Sequence, residues 1–193
     1  MGVRRLLGWL LVRTLIAEFQ LRRALFGWDN AVLRLSSMDR RALVPILRRH
    51  GAQIGQDCDF ESGVVFHNCR GFSRLSIGDG CHIGKSCLLD LRSTVTLEDR
   101  VTVSMNCSLI THLDCGRSAI GAAYPPDTRP VVLEDDVYLG CGVTVLMGCR
   151  IGQGALVAAG AVVRSDVAPG ALAAGVPAVA IETVRGGAEA IPQ

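Results

Sequence analysis

From Ile54 onward the chain keeps a six-residue beat, a period that neither a helix nor a flat strand can satisfy. Its frame is an aliphatic residue, often followed by Gly or an acid, with a small or β-branched residue four places later. Ile54-Gly55 leads to Cys58, Ile77-Gly78 to Cys81, Ile83-Gly84 to Cys87, Leu133-Glu134 to Val137 and Ile151-Gly152 to Ala155. A helix repeats every 3.6 residues and a half-buried strand every two. Six residues per unit therefore predicts short strands joined by tight corners, three units closing a triangular coil. The unit starts group by threes as Ile54/Phe60/Phe66, Ile77/Ile83/Leu89, Leu97/Val103/Leu109, Leu133/Leu139/Val145 and Ile151/Val157/Val163. Extra residues fall only after the third member of a group, so every insertion leaves from the same corner of the prism.

Composition agrees with such a core. Aromatic residues are 5% of the chain and hydrophobic residues 49%, so the interior must be filled by aliphatic side chains and Cys. Five of the eight cysteines (Cys58, Cys81, Cys87, Cys107 and Cys149) occupy the inward small position, and the chain has no CxxC pair. Burial as small hydrophobes is the expected role, with no metal and a reducing cytoplasm as the compartment. A net charge of +2 gives no general attraction to nucleic acid.

The first fifty residues read as an N-terminal helical segment. Met1–Arg5 followed by Leu6-Leu7-Gly8-Trp9-Leu10-Leu11-Val12 resembles the start of a signal peptide, but Arg13 and Glu18 interrupt it and no small-residue cleavage site follows. The apolar run is also too short to span a bilayer. A helix over about Val3–Phe26 remains. It either packs on the body or a neighbouring subunit, or lies on the inner face of a membrane with Arg4, Arg5, Arg13, Arg22 and Arg23 near head groups. A second helix, capped by Ser37 and running through about Arg49 with Pro45 inside it, is expected to plug the open end of the prism. Residues 51–182 then form the coil domain, with a loop at 113–130, and residues 183–193 a flexible tail.

Residues 97–181 resemble the catalytic half of bacterial hexapeptide acetyltransferases, the superfamily of galactoside, maltose, serine and polysaccharide O-acetyltransferases. The resemblance rests on Leu109-Ile110-Thr111-His112 before the long loop, Val137-Tyr138-Leu139-Gly140-Cys141-Gly142, Ile151-Gly152 through Ala158-Ala159-Gly160-Ala161-Val162-Val163, and Ala174-Gly175-Val176-Pro177-Ala178. It implies an all-β, left-handed parallel β-helix of about five triangular coils, working as a homotrimer with clefts between neighbouring prisms. It also implies acetyl-CoA as donor and direct attack on the thioester, without an acyl-enzyme.

His112, at the start of the long insertion, is the expected general base. An imidazole titrates near neutrality and can take a proton from an attacking hydroxyl or amine. Asp90 and Asp114 are the candidates to orient it or to hold the acceptor. The resemblance assigns the oxyanion contact to the backbone N–H of Cys141. It places CoA against Tyr138, Gly140, Ala159, Gly160, Gly175, Pro177 and Ala178. Family members carry Lys or Arg after the Pro-Ala pair, where this chain has Val179, so Arg164 or Arg185 is expected to meet the phosphates. The acceptor is read as a hydroxyl of a sugar or polysaccharide precursor, with an amino sugar or a non-catalytic scaffold as alternatives. A zinc enzyme of the γ-carbonic anhydrase kind is disfavoured, because none of His50, His67, His82 and His112 are near neighbours.

Overall fold

The computed structural model describes residues 2–181. Helix α1 (Val3–Leu35) is interrupted at Gly27, where φ is 84° and ψ 177°. Such a backbone is cheap only without a Cβ. Its first segment turns Val12, Leu15, Ile16 and Phe19 toward the body, the i, i+3, i+4, i+7 set of one helical face. The expected end at Phe26 is thus a break inside a longer element, which continues through Trp28, Ala31, Val32 and Leu35. Helix α2 (Arg40–Arg49) is capped by Asp39, whose side chain accepts from Arg41 N–H, and not by Ser37. Its buried residues Ala42, Leu43, Ile46 and Leu47 close the first coil, sparing the terminal strands from water.

The remainder is a three-sided parallel β-solenoid. On the first face Gln53–Ile54, Leu75–Ile77, Val95–Leu97, Val131–Leu133 and Arg150–Ile151 stack in that order. The second face carries Asp59–Phe60, His82–Ile83, Thr102–Val103, Tyr138–Leu139, Leu156–Val157 and Leu172–Ala174. The third carries Val65–His67, Leu88–Asp90, Ser108–Leu109, Thr144–Val145 and Val162–Val163. Every three-member group of the sequence is therefore one coil. A partial sixth coil follows, through the bridge of Val167 to Ile151 and the pairing of Leu172 with Leu156. It corrects the expected count of five and ends in an antiparallel strand, Val179–Ile181.

Parallel pairing puts like residues over like. Phe66, Leu89, Leu109, Val145 and Val163 form one buried column, and Ile83, Val103, Leu139 and Val157 another. Each such side chain contributes about 1.5–3 kcal/mol on full burial. Corners turn through left-handed backbone, taken by Gly80, Gly142, Gly154 and Gly160 but also by Asp57, Ser86, Arg100, Asn106 and Asp136. Cys81, Cys87, Cys107 and Cys149 are buried at the corners and Cys58 half-buried, all as free thiols. The Cys107 thiol donates to the Gly140 carbonyl of the next coil at 3.1 Å. Burial pushes the Cys149 thiol up and the Cys81 thiol up to about 11, which disfavours the thiolate at these two corners.

Candidate active site

At the end of the third face the Asp90 carboxylate is fully buried, which is affordable only because donors surround it. Oδ2 accepts from the Thr111 N–H and the Thr111 hydroxyl, each at 2.8 Å, and from His112 Nδ1 at 2.6 Å. Oδ1 accepts from Asn68 Nδ2 at 3.0 Å and from the Arg92 N–H at 3.4 Å. Burial by itself would push this carboxyl up. The bonds from His112, Thr111 and Asn68 outweigh it and hold the group at about 2. A carboxylate can only accept, so Nδ1 carries the proton of this bond, and Nε2 meets no partner among the described residues. The His112 side chain keeps 20% of its surface exposed. Asn68 reaches Asp90 from a left-handed position, φ 55°, which Asn tolerates better than most residues.

Of the two candidate partners of His112, only Asp90 touches it. Asp114 instead accepts from Arg92 Nη1 at 2.8 Å and from the Gly116 N–H, and the Arg92 guanidinium beside it lowers its carboxyl below the usual range. His112–Leu113 pairs antiparallel with Asp127–Thr128, so the 113–130 excursion is a hairpin that starts at the candidate base. The ring of His67, in register with Asp90 one coil below, lies 6.1 Å from that of His112. Beside them a cavity of about 620 Å³ opens between Val32 and Leu33 of α1 and the wall formed by His67, Asn68 and Arg92.

Sequence reasoning missed Asn68, Thr111 and the approach of His67. Coil arithmetic could have found His67, which follows Phe66 as Asp90 follows Leu89. The four histidines do not converge: His50 meets Gln20 at 3.0 Å and His82 lies 3.3 Å from Asp59. Among the described residues no group of three His, Cys, Asp or Glu side chains is placed to hold a metal ion.

The residues expected at CoA lie elsewhere. Cys141 and Gly142 turn the corner between the second and third faces, and Ala159 and Gly160 turn it one coil on. A Cβ on Gly140 would stand 2.6 Å from Ala159 N, so glycine is required for the coils to stack. At Gly142 and Gly160 a Cβ would meet nothing within 4 Å, leaving a low, open ridge on which a ligand can approach the main chain. Gly160 N–H donates to Cys141 O, Val162 N–H to Gly175 O and Ala178 N–H to Val162 O. Cys141, Ala159, Gly160, Gly175 and Ala178 thus form one continuous strip. Cys141 N–H donates to no group among the described residues. Tyr138, Arg164 and Pro177 are exposed near it, while Val179 pairs with Ala174 and faces solvent. Arg185 and the tail lie outside the described residues. Within one chain a whole face of the prism separates this strip from His112, six residues or roughly 20 Å of extended chain.

A family model described as the hexapeptide repeat of succinyl-transferase matches residues 74–110 and 130–165, the coils on either side of the hairpin. Both matched segments carry the six-residue repeat that builds the coils. A hexapeptide-repeat acetyltransferase from Vibrio cholerae, solved with acetyl coenzyme A, superposes with a TM-score of 0.67 at 25% identity, covering 91% of this chain and 88% of that one. Galactoside acetyltransferase in complex with coenzyme A shares the fold, with a TM-score of 0.70 at 21% identity over 88% and 82% of the two chains. Among curated proteins, 2,3,4,5-tetrahydropyridine-2,6-dicarboxylate N-acetyltransferase of Staphylococcus aureus is 46% identical over 71 residues. That match spans 37% of this chain and 30% of the relative's length.

Proposed function

We propose that the chain is an acetyl-CoA-dependent acetyltransferase whose base is His112. The observation that carries the reading is the His112–Asp90 pair: a buried carboxylate engages Nδ1 and leaves Nε2 without a partner among the described residues. In the reaction Nε2 takes the proton of an acceptor hydroxyl as its oxygen attacks the thioester carbonyl. The tetrahedral oxyanion then collapses, the C–S bond breaks and the imidazolium returns the proton to the departing CoA thiolate. Asp90 stabilises the imidazolium while it exists, the role an orienting carboxylate plays in other base-assisted sites.

The oxyanion donor is the free N–H of Cys141, and CoA lies along the strip from Cys141 to Ala178, where small residues let it meet the backbone. Because that strip and His112 stand at opposite edges of one face, we assign the complete site to two neighbouring copies in a trimer. Val179 leaves the phosphates to other cations, Arg164 among those on this strip.

The acceptor is proposed to be a sugar or polysaccharide hydroxyl. An amine is the second reading, favoured by the N-acetyltransferase of Staphylococcus aureus among the relatives; the attack then differs only in the atom that loses its proton. The test is His112→Ala, with acetyl-CoA binding by calorimetry and acetyl transfer followed as CoA thiol release. Unchanged binding with turnover reduced by about 10²–10⁴-fold is expected. Retained turnover would remove His112 as base, and absence of acetyl-CoA binding by the wild type would overturn the enzyme reading.

A further inference from the structure

His67 joins the candidate base to the cavity beside it. It follows Phe66 on the third face, in register with Asp90. Phe66 is buried, so the alternation of the strand turns His67 outward. Its ring lies 6.1 Å from that of His112, and the same residue lines the cavity of about 620 Å³. Its polar neighbours on that wall are engaged. Asn68 donates its amide to Asp90 at 3.0 Å, and Arg92 is held by Asp114 at 2.8 Å. The ring nitrogens of His67 carry no hydrogen bond or ion pair among the described residues.

The facing wall is apolar and comes from α1. Gly27 breaks that helix, and the segment beyond it lies on the coils through Ala31 and Leu35, which are buried. This anchoring presents Val32 and Leu33 to the cavity, with Leu33 still 72% exposed. Charges at the rim balance. Asp29 and Arg70 are one anion and one cation, and Arg92 is already neutralised by Asp114. No excess charge is left to select a phosphate or a carboxylate. An apolar wall facing a neutral hydrogen-bonding group, in a volume usual for small-molecule sites, suits an uncharged sugar ring. Its C–H face can lie on Leu33 and its hydroxyl edge on His67.

We propose that this cavity is the acceptor subsite and that His67 anchors an uncharged polyol in it, one hydroxyl on the His67 ring and the neighbouring hydroxyl on His112 Nε2. This rests on the reading of His112 as base. A hydrogen bond from a hydroxyl spans about 2.8 Å, so rings 6.1 Å apart can hold hydroxyls on adjacent carbons. Acetyl goes to the hydroxyl on His112, and the His67 bond takes no part in proton transfer. An alcohol with a single hydroxyl loses the anchor.

Acetyl transfer by the full-length protein, followed as CoA thiol release, tests this with methyl glucoside, methyl galactoside, cyclohexanol and glucose 6-phosphate. The wild type should transfer to a methyl glycoside and discriminate against cyclohexanol. His67→Ala should raise the KM of that glycoside about two- to tenfold, the loss of one hydrogen bond, with kcat and acetyl-CoA affinity close to wild type. His67→Gln, which keeps a donor and an acceptor, should recover part of the loss. Leu33→Asp, at an exposed position, should raise KM with an unchanged melting temperature. His112→Ala lowers kcat instead, so base and anchor fail separately. An unchanged KM in His67→Ala, or a preference for cyclohexanol or glucose 6-phosphate over both glycosides, overturns the proposal. So does a wild type that binds acetyl-CoA and transfers to neither glycoside, whereas one that does not bind acetyl-CoA overturns the enzyme reading beneath it.

Discussion

Asp90→Asn separates the chemistry of the buried carboxylate from its shape. The carboxylate accepts five hydrogen bonds, three at Oδ2 and two at Oδ1. An amide is nearly isosteric but brings two donors to one of those positions. With its NH₂ toward Asn68, the variant loses one bond and sets its amide against the Arg92 N–H. With its NH₂ toward His112, it opposes three donors and forces the proton onto Nε2. Either way the loss is about 2–3 kcal/mol, set by one charge-assisted bond and one unmatched donor. The folded carboxyl is held at about 2, below the ~3.9 of an unfolded Asp. A depressed carboxyl adds stability above its unfolded value and loses it as pH falls toward the folded one. The stability gap between wild type and Asp90→Asn, measured by urea unfolding, should therefore be full at neutral pH and close between about pH 4 and 2. Acetyl transfer should drop by about 10²–10⁴-fold, with acetyl-CoA affinity unchanged. A gap that stays constant through the acid window, or no gap at all, would refute the account of Asp90 as an ionised acceptor.

Other outcomes follow from the same geometry. Cys141→Ala should leave turnover close to wild type, since only the main-chain N–H is used; a large fall in thiol-release rate would give the side chain a role. Gly140→Ala would put a methyl 2.6 Å from the main chain of Ala159, so a lower melting temperature by differential scanning calorimetry is expected, together with weaker acetyl-CoA binding by titration. Leu109→Ala, in the middle of the third-face column, should cost about 2–5 kcal/mol in urea unfolding.

The prism was legible because its signal is redundant. Each coil repeats the same inward pattern, and a break in one coil is outvoted by its neighbours. The insertion after Leu109 could be placed for that reason, although nothing in residues 113–130 announces a hairpin. The site was half legible. His112 and Asp90 could be named as candidates from motif and register. The ring of Asn68, Thr111 and Arg92 depends on how the chain turns after Ile110, which no periodicity encodes. At the N-terminus the apolar residues run most of the way round the helix, so the pattern alone could not say which of them pack: Phe19 is buried and Leu25 is exposed. The cap of α2 was misplaced for a simpler reason: Ser37 and Asp39 are both good N-caps, and only the fold of the preceding turn selects between them.

The hairpin leaves the prism after Leu109 and re-enters at Val131 without disturbing the coils around it. Leu97 still pairs with Leu133, and Leu109 with Val145, as if the eighteen extra residues were absent. The coils are thus insulated from the hairpin, which touches the site only at its root, where His112 pairs with Thr128. Hairpins of other lengths and compositions can be exchanged at this seam without renegotiating the core. The hairpin and the core can then vary separately, and a chain of this kind can change the border of its candidate site while keeping how it folds.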